Sequence, residues 1–140
     1  TRGRIWESDV LASFDLDHLK GAGHNIIQHN HKLLALIAGR YYSENFVKEA
    51  WSQGAEICAH DPLIDYWDEI NMNINTELPD SSDHDVIVFA VPHKEYVGIN
   101  LNEWITNKRT LLFDANNVLS KKQVLEIKEN DLNYISIGRG

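Results

Sequence analysis

The sequence predicts an α/β fold, a three-layer sandwich around a mostly parallel sheet of about five strands. Three observations carry this expectation. Five short apolar runs recur along the chain, at 32–39, 55–60, 85–91, 110–113 and 132–137. The clearest of them are apolar almost throughout, as in strands covered on both faces; a strand with one wet face would alternate. Segments with helical spacing fill the gaps at 44–52 and 120–128. A strand, a helix and a strand over roughly 30 residues make a βαβ unit, and its crossover is right-handed.

The totals agree with one domain and exclude several classes of protein. A chain of 140 residues can close one proper core. At 43% hydrophobic residues it is neither disordered nor membrane-embedded. No apolar run approaches the roughly 18 residues of a membrane span. No secretory signal pattern is visible, and the opening at Thr1 rather than Met suggests a piece of a longer polypeptide. With 21 acids against 13 bases the net charge is −8, which argues against a nucleic-acid partner. A nucleotide ligand is compatible with that charge, because backbone N–H groups can hold phosphate. The single Cys58 cannot form an internal disulfide, and it fits a reducing compartment, most simply the cytoplasm. Inside an apolar strand it is expected to be buried and inert.

Each element has its own warrant. Residues 1–31 read as an N-terminal extension to which no structure is assigned. Ser8 or Asp9 could cap a short helix there, and Gly21-Ala22-Gly23 interrupts the chain without the strand-to-helix context of a phosphate loop. His29-x-His31 would put two imidazoles on one strand face, but with no cysteine or spaced carboxylate nearby these are polar loop histidines. The 32–39 run follows, and Ser43 can cap the helix at 44–52, with Gly54 ending it. The second strand, 55–60, stops at Asp61-Pro62. Residues 63–75 read as irregular and in part helical, or else with the 71–75 alternation as a small edge strand, and 76–82 as a polar connection. The 85–91 strand is β-branched and aromatic and ends at Pro92. A short amphipathic turn or helix at 100–106 precedes the strand at 110–113, and Ser120 caps the helix that leads to the last strand.

In open α/β sheets ligands sit beyond the C-terminal ends of the strands. That rule points to 39–43, Asp61, His93 and Asp114. An acid such as Asp61 at a strand tip can bind ribose hydroxyls; Asp-Pro can equally be a plain strand stop.

From 54 to 140 the chain resembles the C-terminal UDP-binding domain of the UDP-glucose/GDP-mannose dehydrogenases. Gly54-Ala55-Glu56 with Asp61-Pro62 is similar to the family's G-A-x-V-x-x-x-D-P. The 85–91 strand with His93 and Tyr96 is similar to its A-D-x-V-V-I-x-T-x-H-x-x-[YF]. Phe113-Asp114-x-x-Asn117 is similar to F-D-x-R-N, and Tyr134-x-Ser136-Ile137-Gly138-Arg139 to Y-x-x-I-G-R. The resemblance implies a Rossmann-like domain over 32–140 that holds a UDP-sugar. Its ligand contacts would come from Gly39, Arg40, Tyr42, Ser43, Asp61, His93, Asp114, Asn116 and Asn117. In complete members, other domains bind NAD and supply the catalytic Cys, and the sugar's C6 hydroxyl is oxidised to a carboxylate for polysaccharide synthesis. The resemblance therefore implies other domains, or further copies of the protein, as partners.

The departures are specific. Gly39 and Tyr42 match the family's opening loop, but Ser43 stands where the family has a ligand-contacting Lys, and the basic loop is shortened. Asn116 replaces the Arg of F-D-x-R-N. Arg40 and Arg139 are the nearest substitutes for these two cations. No G-x-G-x-x-G occurs anywhere in the chain, so no NAD is assigned to it; Cys58, mid-strand, is not the family's nucleophile, so no catalytic residue is assigned, and no metal is assigned either. Two other classes remain open: an α/β interaction module that has lost the nucleotide, and a small enzyme using His93 with Asp61 or Asp114 as an acid–base pair.

Overall fold

The structure, a computed structural model, describes residues 32–37, 43–52 and 54–136. The expectations for 1–31, for Gly39, Arg40 and Tyr42, and for Arg139 lie outside the described residues, as do those for the side chain of Ser43.

The elements run β1 (Lys32–Leu36), α1 (Ser43–Ser52), β2 (Glu56–His60), β3 (Tyr66–Trp67), β4 (Met72–Asn73), β5 (Val86–Phe89), α2 (Lys94–Val97), α3 (Leu101–Trp104), β6 (Leu111–Asp114), α4 (Lys121–Glu129) and β7 (Tyr134–Ser136). Five of the strands form one sheet in the order β2-β1-β5-β6-β7, and every pairing within it is parallel. All five apolar runs therefore became strands of one sheet. This is a Rossmann-like α/β arrangement.

Side chains alternate between two cores because strand residues point to opposite faces in turn. Ala35, Val86, Val88, Leu111 and Phe113 enter one core, with Val47 and Ala50 of α1. Leu34, Leu36, Ile87, Phe89 and Leu112 enter the other, with Tyr96 of α2, Leu101 of α3 and Ile127 of α4. The two-sided burial explains why β5 reads as an unbroken V-I-V-F, all of it buried. The split of helices follows from chain direction. From β1 the chain moves one way to β2; from β5 it moves the other way to β6 and β7. Right-handed crossovers running in opposite directions must lie on opposite faces.

Residues 63–75 hold both a short helical turn and the small strand expected at 71–75, but that strand lies outside the main sheet and pairs with an unexpected partner at 66–67. β3 and β4 pair antiparallel as a separate two-stranded sheet, joined by a 3₁₀ turn at Asp68–Ile70 and by Asn71 with φ 49°. Asn tolerates that left-handed conformation. Trp67, Met72 and Ile74 pack into the α1-side core. The chain then passes the edge of β2, where Asn75 bridges His60 in parallel. The Asn75 N–H donates to the Ala59 carbonyl, and the Asp61 N–H donates to that of Asn75. Beyond it, Leu78 joins the opposite core. Trp104 Nε1 donates to the Pro79 carbonyl, and Ser81 Oγ to the Trp104 carbonyl. The segment thus wraps the exposed edge of β2 and protects part of it from pairing with another chain.

The strand order corrects one expectation: β2 is the edge strand of the sheet, although its sequence is largely apolar. Cys58 is accordingly half-buried rather than buried. Its Sγ accepts a hydrogen bond from Asn75 Nδ2 at 2.9 Å, and burial pushes its thiol pKa up.

Candidate functional site

The strand order reverses between β1 and β5, so their C-terminal ends flank the crevice where open sheets bind ligands. On the β5 side it is bounded by residues 90–93. The tips of β2 and β6 extend the same rim. Asp61, His93, Asp114, Asn116 and Asn117, from three separate sequence segments, all stand on this rim.

Their chemistry differs. Asp114 is fully buried, and its carboxylate is taken up by its own loop. Oδ1 accepts from the Val118 N–H at 2.7 Å and the Asn116 N–H at 3.4 Å; Oδ2 accepts from the Leu119 N–H at 3.1 Å. Asn117 lies inside that loop with φ 54°, a left-handed turn that Asn accommodates. Asp61 is also buried, and its Oδ1 accepts from the Leu63 N–H at 2.9 Å, an Asx turn after the strand. Asn116 is exposed, and its Nδ2 reaches the Ala90 carbonyl at the β5 tip at 3.4 Å.

His93 caps α2. Its Nδ1 accepts from the Glu95 N–H at 3.2 Å, which leaves Nε2 to carry the hydrogen in the neutral ring. The ring is half-buried, so this donor is available at the rim. Three residues on, Tyr96 is fully buried, with its ring centroid 5.8 Å from that of His93.

Tyr96 leads to a residue that the sequence reading did not single out. His60, the last residue of β2, is buried. Its Nδ1 lies 3.0 Å from the Tyr96 hydroxyl and its Nε2 3.2 Å from the Thr76 carbonyl. The Tyr96 hydroxyl oxygen also lies 2.9 Å from the His60 carbonyl oxygen. Burial pushes the His60 pKa below its ordinary value, while the Thr76 carbonyl, Glu95 and Asp61 pull it back up and His93 adds to the lowering. The signal was present: a histidine closing an apolar run, before Asp-Pro, needs a buried partner.

Gln123 is the second such residue. It is buried in the first turn of α4. Its Oε1 accepts from the Ser120 N–H and completes a capping box. Its Nε2 donates to the Tyr96 and Ile99 carbonyls at 2.9 and 3.0 Å. The β6 loop, α4, α2 and the β2 tip are therefore joined by one run of buried hydrogen bonds behind the rim. Such a scaffold fixes the positions of His93 and Asn116 before any ligand arrives.

At the opposite end of the sheet lies a cleft of about 410 Å³ lined by Lys32, Glu56, Cys58, Asp83 and His84 among others. It is open and mixed in charge, and it is built from strand beginnings, where the open-sheet rule places no ligand. Among the described residues no group of three His, Cys, Asp or Glu is arranged to hold a metal ion. Nor does any helix among them have the length and apolarity to cross a membrane.

No protein-family model matches the sequence, and a search of curated proteins finds no matching relative. The geometry of the rim is therefore what any functional reading must rest on.

Proposed function

We propose that the chain binds a nucleotide, of the UDP-sugar class, in the crevice between the ends of β1 and β5. The observation that carries this is the convergence of the D-P, H-x-x-Y and F-D-x-x-N segments on one rim at the reversal point of a parallel sheet. Within this reading the roles divide. His93 Nε2 and the Asn116 amide offer donors to phosphate or sugar oxygens. Asp61, Asp114 and Asn117 shape the loops that present them. The resemblance adds Gly39, Arg40, Tyr42 and Ser43 as contacts.

The chain would then be the nucleotide-sugar-holding part of an NAD-dependent 6-dehydrogenase or a divergent relative, acting in the cytoplasm in polysaccharide precursor synthesis. Hydride transfer would belong to other domains, since the sequence has no dinucleotide fingerprint of its own. One observation favours the second reading, a module that keeps the fold without the ligand. The Asp114 carboxylate is spent on three backbone N–H groups, and the neighbouring position is Asn116 in place of a cation.

Isothermal titration with UDP and UDP-glucose separates the two. The nucleotide reading expects saturable binding that weakens about tenfold in His93→Ala or Asn116→Ala, the loss of one charge-assisted hydrogen bond. The absence of heat at millimolar ligand would favour the module.

A further inference from the structure

Neutral His60 cannot use every partner around it. Its Nε2 faces the Thr76 carbonyl oxygen at 3.2 Å, which only accepts, so this nitrogen carries a hydrogen. Nδ1 faces the Tyr96 hydroxyl at 3.0 Å, which can donate or accept. That same hydroxyl lies 2.9 Å from the His60 carbonyl, which already accepts from the Ile37 N–H at 2.9 Å. One hydroxyl hydrogen cannot serve both Nδ1 and the carbonyl. With a neutral ring it belongs on Nδ1, and the carbonyl keeps Ile37. With a proton on Nδ1, the ring donates to the hydroxyl oxygen, and the hydroxyl hydrogen turns to the carbonyl. Every one of these contacts is then made.

We propose that His60 and Tyr96 form a proton-linked latch behind the crevice. Uptake of one solvent proton at Nδ1 reverses the ring–hydroxyl bond and fastens α2, through Tyr96, to the β2 backbone beside the end of β1. The one bond formed is Nδ1–H, its proton comes from a hydronium ion of the solvent, which is left as water, and no other reactant is needed.

The surroundings set where the latch works. Among the described residues, Asp61 after β2 and Glu95 on α2 favour the proton, as does the Thr76 carbonyl from the segment after β4. His93, just ahead of α2, opposes it, and burial opposes it most. The latch is therefore open near neutrality and engages as the pH falls. His60 carries the proton, and Tyr96 is a positioning residue that transmits it to the backbone.

The test is ¹⁵N and ¹H NMR of the full chain without ligand, titrated between pH 8 and pH 5, values that bracket the ordinary His range. The neutral ring should hold its hydrogen on Nε2, and the Ile37 amide resonance should move with the His60 midpoint. In Tyr96→Phe that midpoint should fall by about half to one pH unit, because the cation loses a stronger bond than the neutral ring does. The Ile37 response should vanish. A neutral ring with its hydrogen on Nδ1, an Ile37 amide indifferent to the His60 titration, or a midpoint unmoved by Tyr96→Phe each overturns the latch. Should Tyr96→Phe fail to fold, the first two measurements on the unaltered chain still decide. No nucleotide enters this test, so its failure is distinguishable from failure of the nucleotide reading.

Discussion

Asp114 and His60 show how a rim residue can be chemical in type and structural in use. The Asp114 carboxylate replaces water for three loop N–H groups in a site with no exposure. Asp114→Ala should cost about 2–4 kcal/mol, since buried donors are left without an acceptor. Urea unfolding with an unchanged m-value would show it. For His60 the sign follows from linkage. Its folded pKa is lowered from 6.5, so between 6.5 and the folded value the unfolded chain binds more protons. Stability is then full above pH 6.5 and declines as the pH falls toward the folded value. Urea midpoints at high and low pH, in the native chain and in His60→Asn, check this; the native chain should lose more on acidification. Cys58 carries a raised thiol pKa and a bond from Asn75. It should react more slowly with iodoacetamide at neutral pH than a free cysteine does.

Elements are held in place by contacts that cross between them. Gln123 both completes the α4 cap and ties α4 to the α2–α3 connection. Gln123→Ala should lower stability by about 2–3 kcal/mol, combining a lost cap with two unpaired carbonyls. The β3–β4 hairpin is pinned by Trp67, which is almost wholly buried. Trp67→Ala should cost about 3–5 kcal/mol by calorimetry or denaturant. The strands were legible because burial on both faces leaves an unmistakable apolar run, as in β5. The α4 start was legible because Ser120 caps it, although the reciprocal Gln123 went unnoticed. Half of the hairpin was legible. The alternation at 71–75 pointed to β4, whereas β3, two residues long, carries too few for a period to show, and the Asn71 turn that pairs them has no local signature. α2 escaped notice for a similar reason: its four residues, Lys94–Val97, are too few for a helical period.

At the scale of the molecule, strand order is what converts separate motifs into a site. Asp61, His93 and Asn116 lie far apart in sequence, and each alone fits a turn or a cap. The order β2-β1-β5-β6-β7 brings them to one rim. The sequence could suggest five strands and a crossover. It could not assign the edge, because β2 is nearly as apolar as a central strand; Asn75 compensates in part by pairing with its Ala59–Asp61 end. The acidic balance of the chain, −8 overall, also bears on the site. A bound diphosphate must be held by close, directed donors rather than by the field of the whole protein.

The most direct test of the crevice is a titration of the ¹⁵N-labelled chain with UDP, following the backbone amides. Shifts should saturate and concentrate at 90–93 and at Asn116 and Asn117, with His93→Ala weakening them. Amides that stay unmoved at millimolar UDP, or shifts gathered instead around Lys32, Cys58 and His84 at the other end of the sheet, would contradict it.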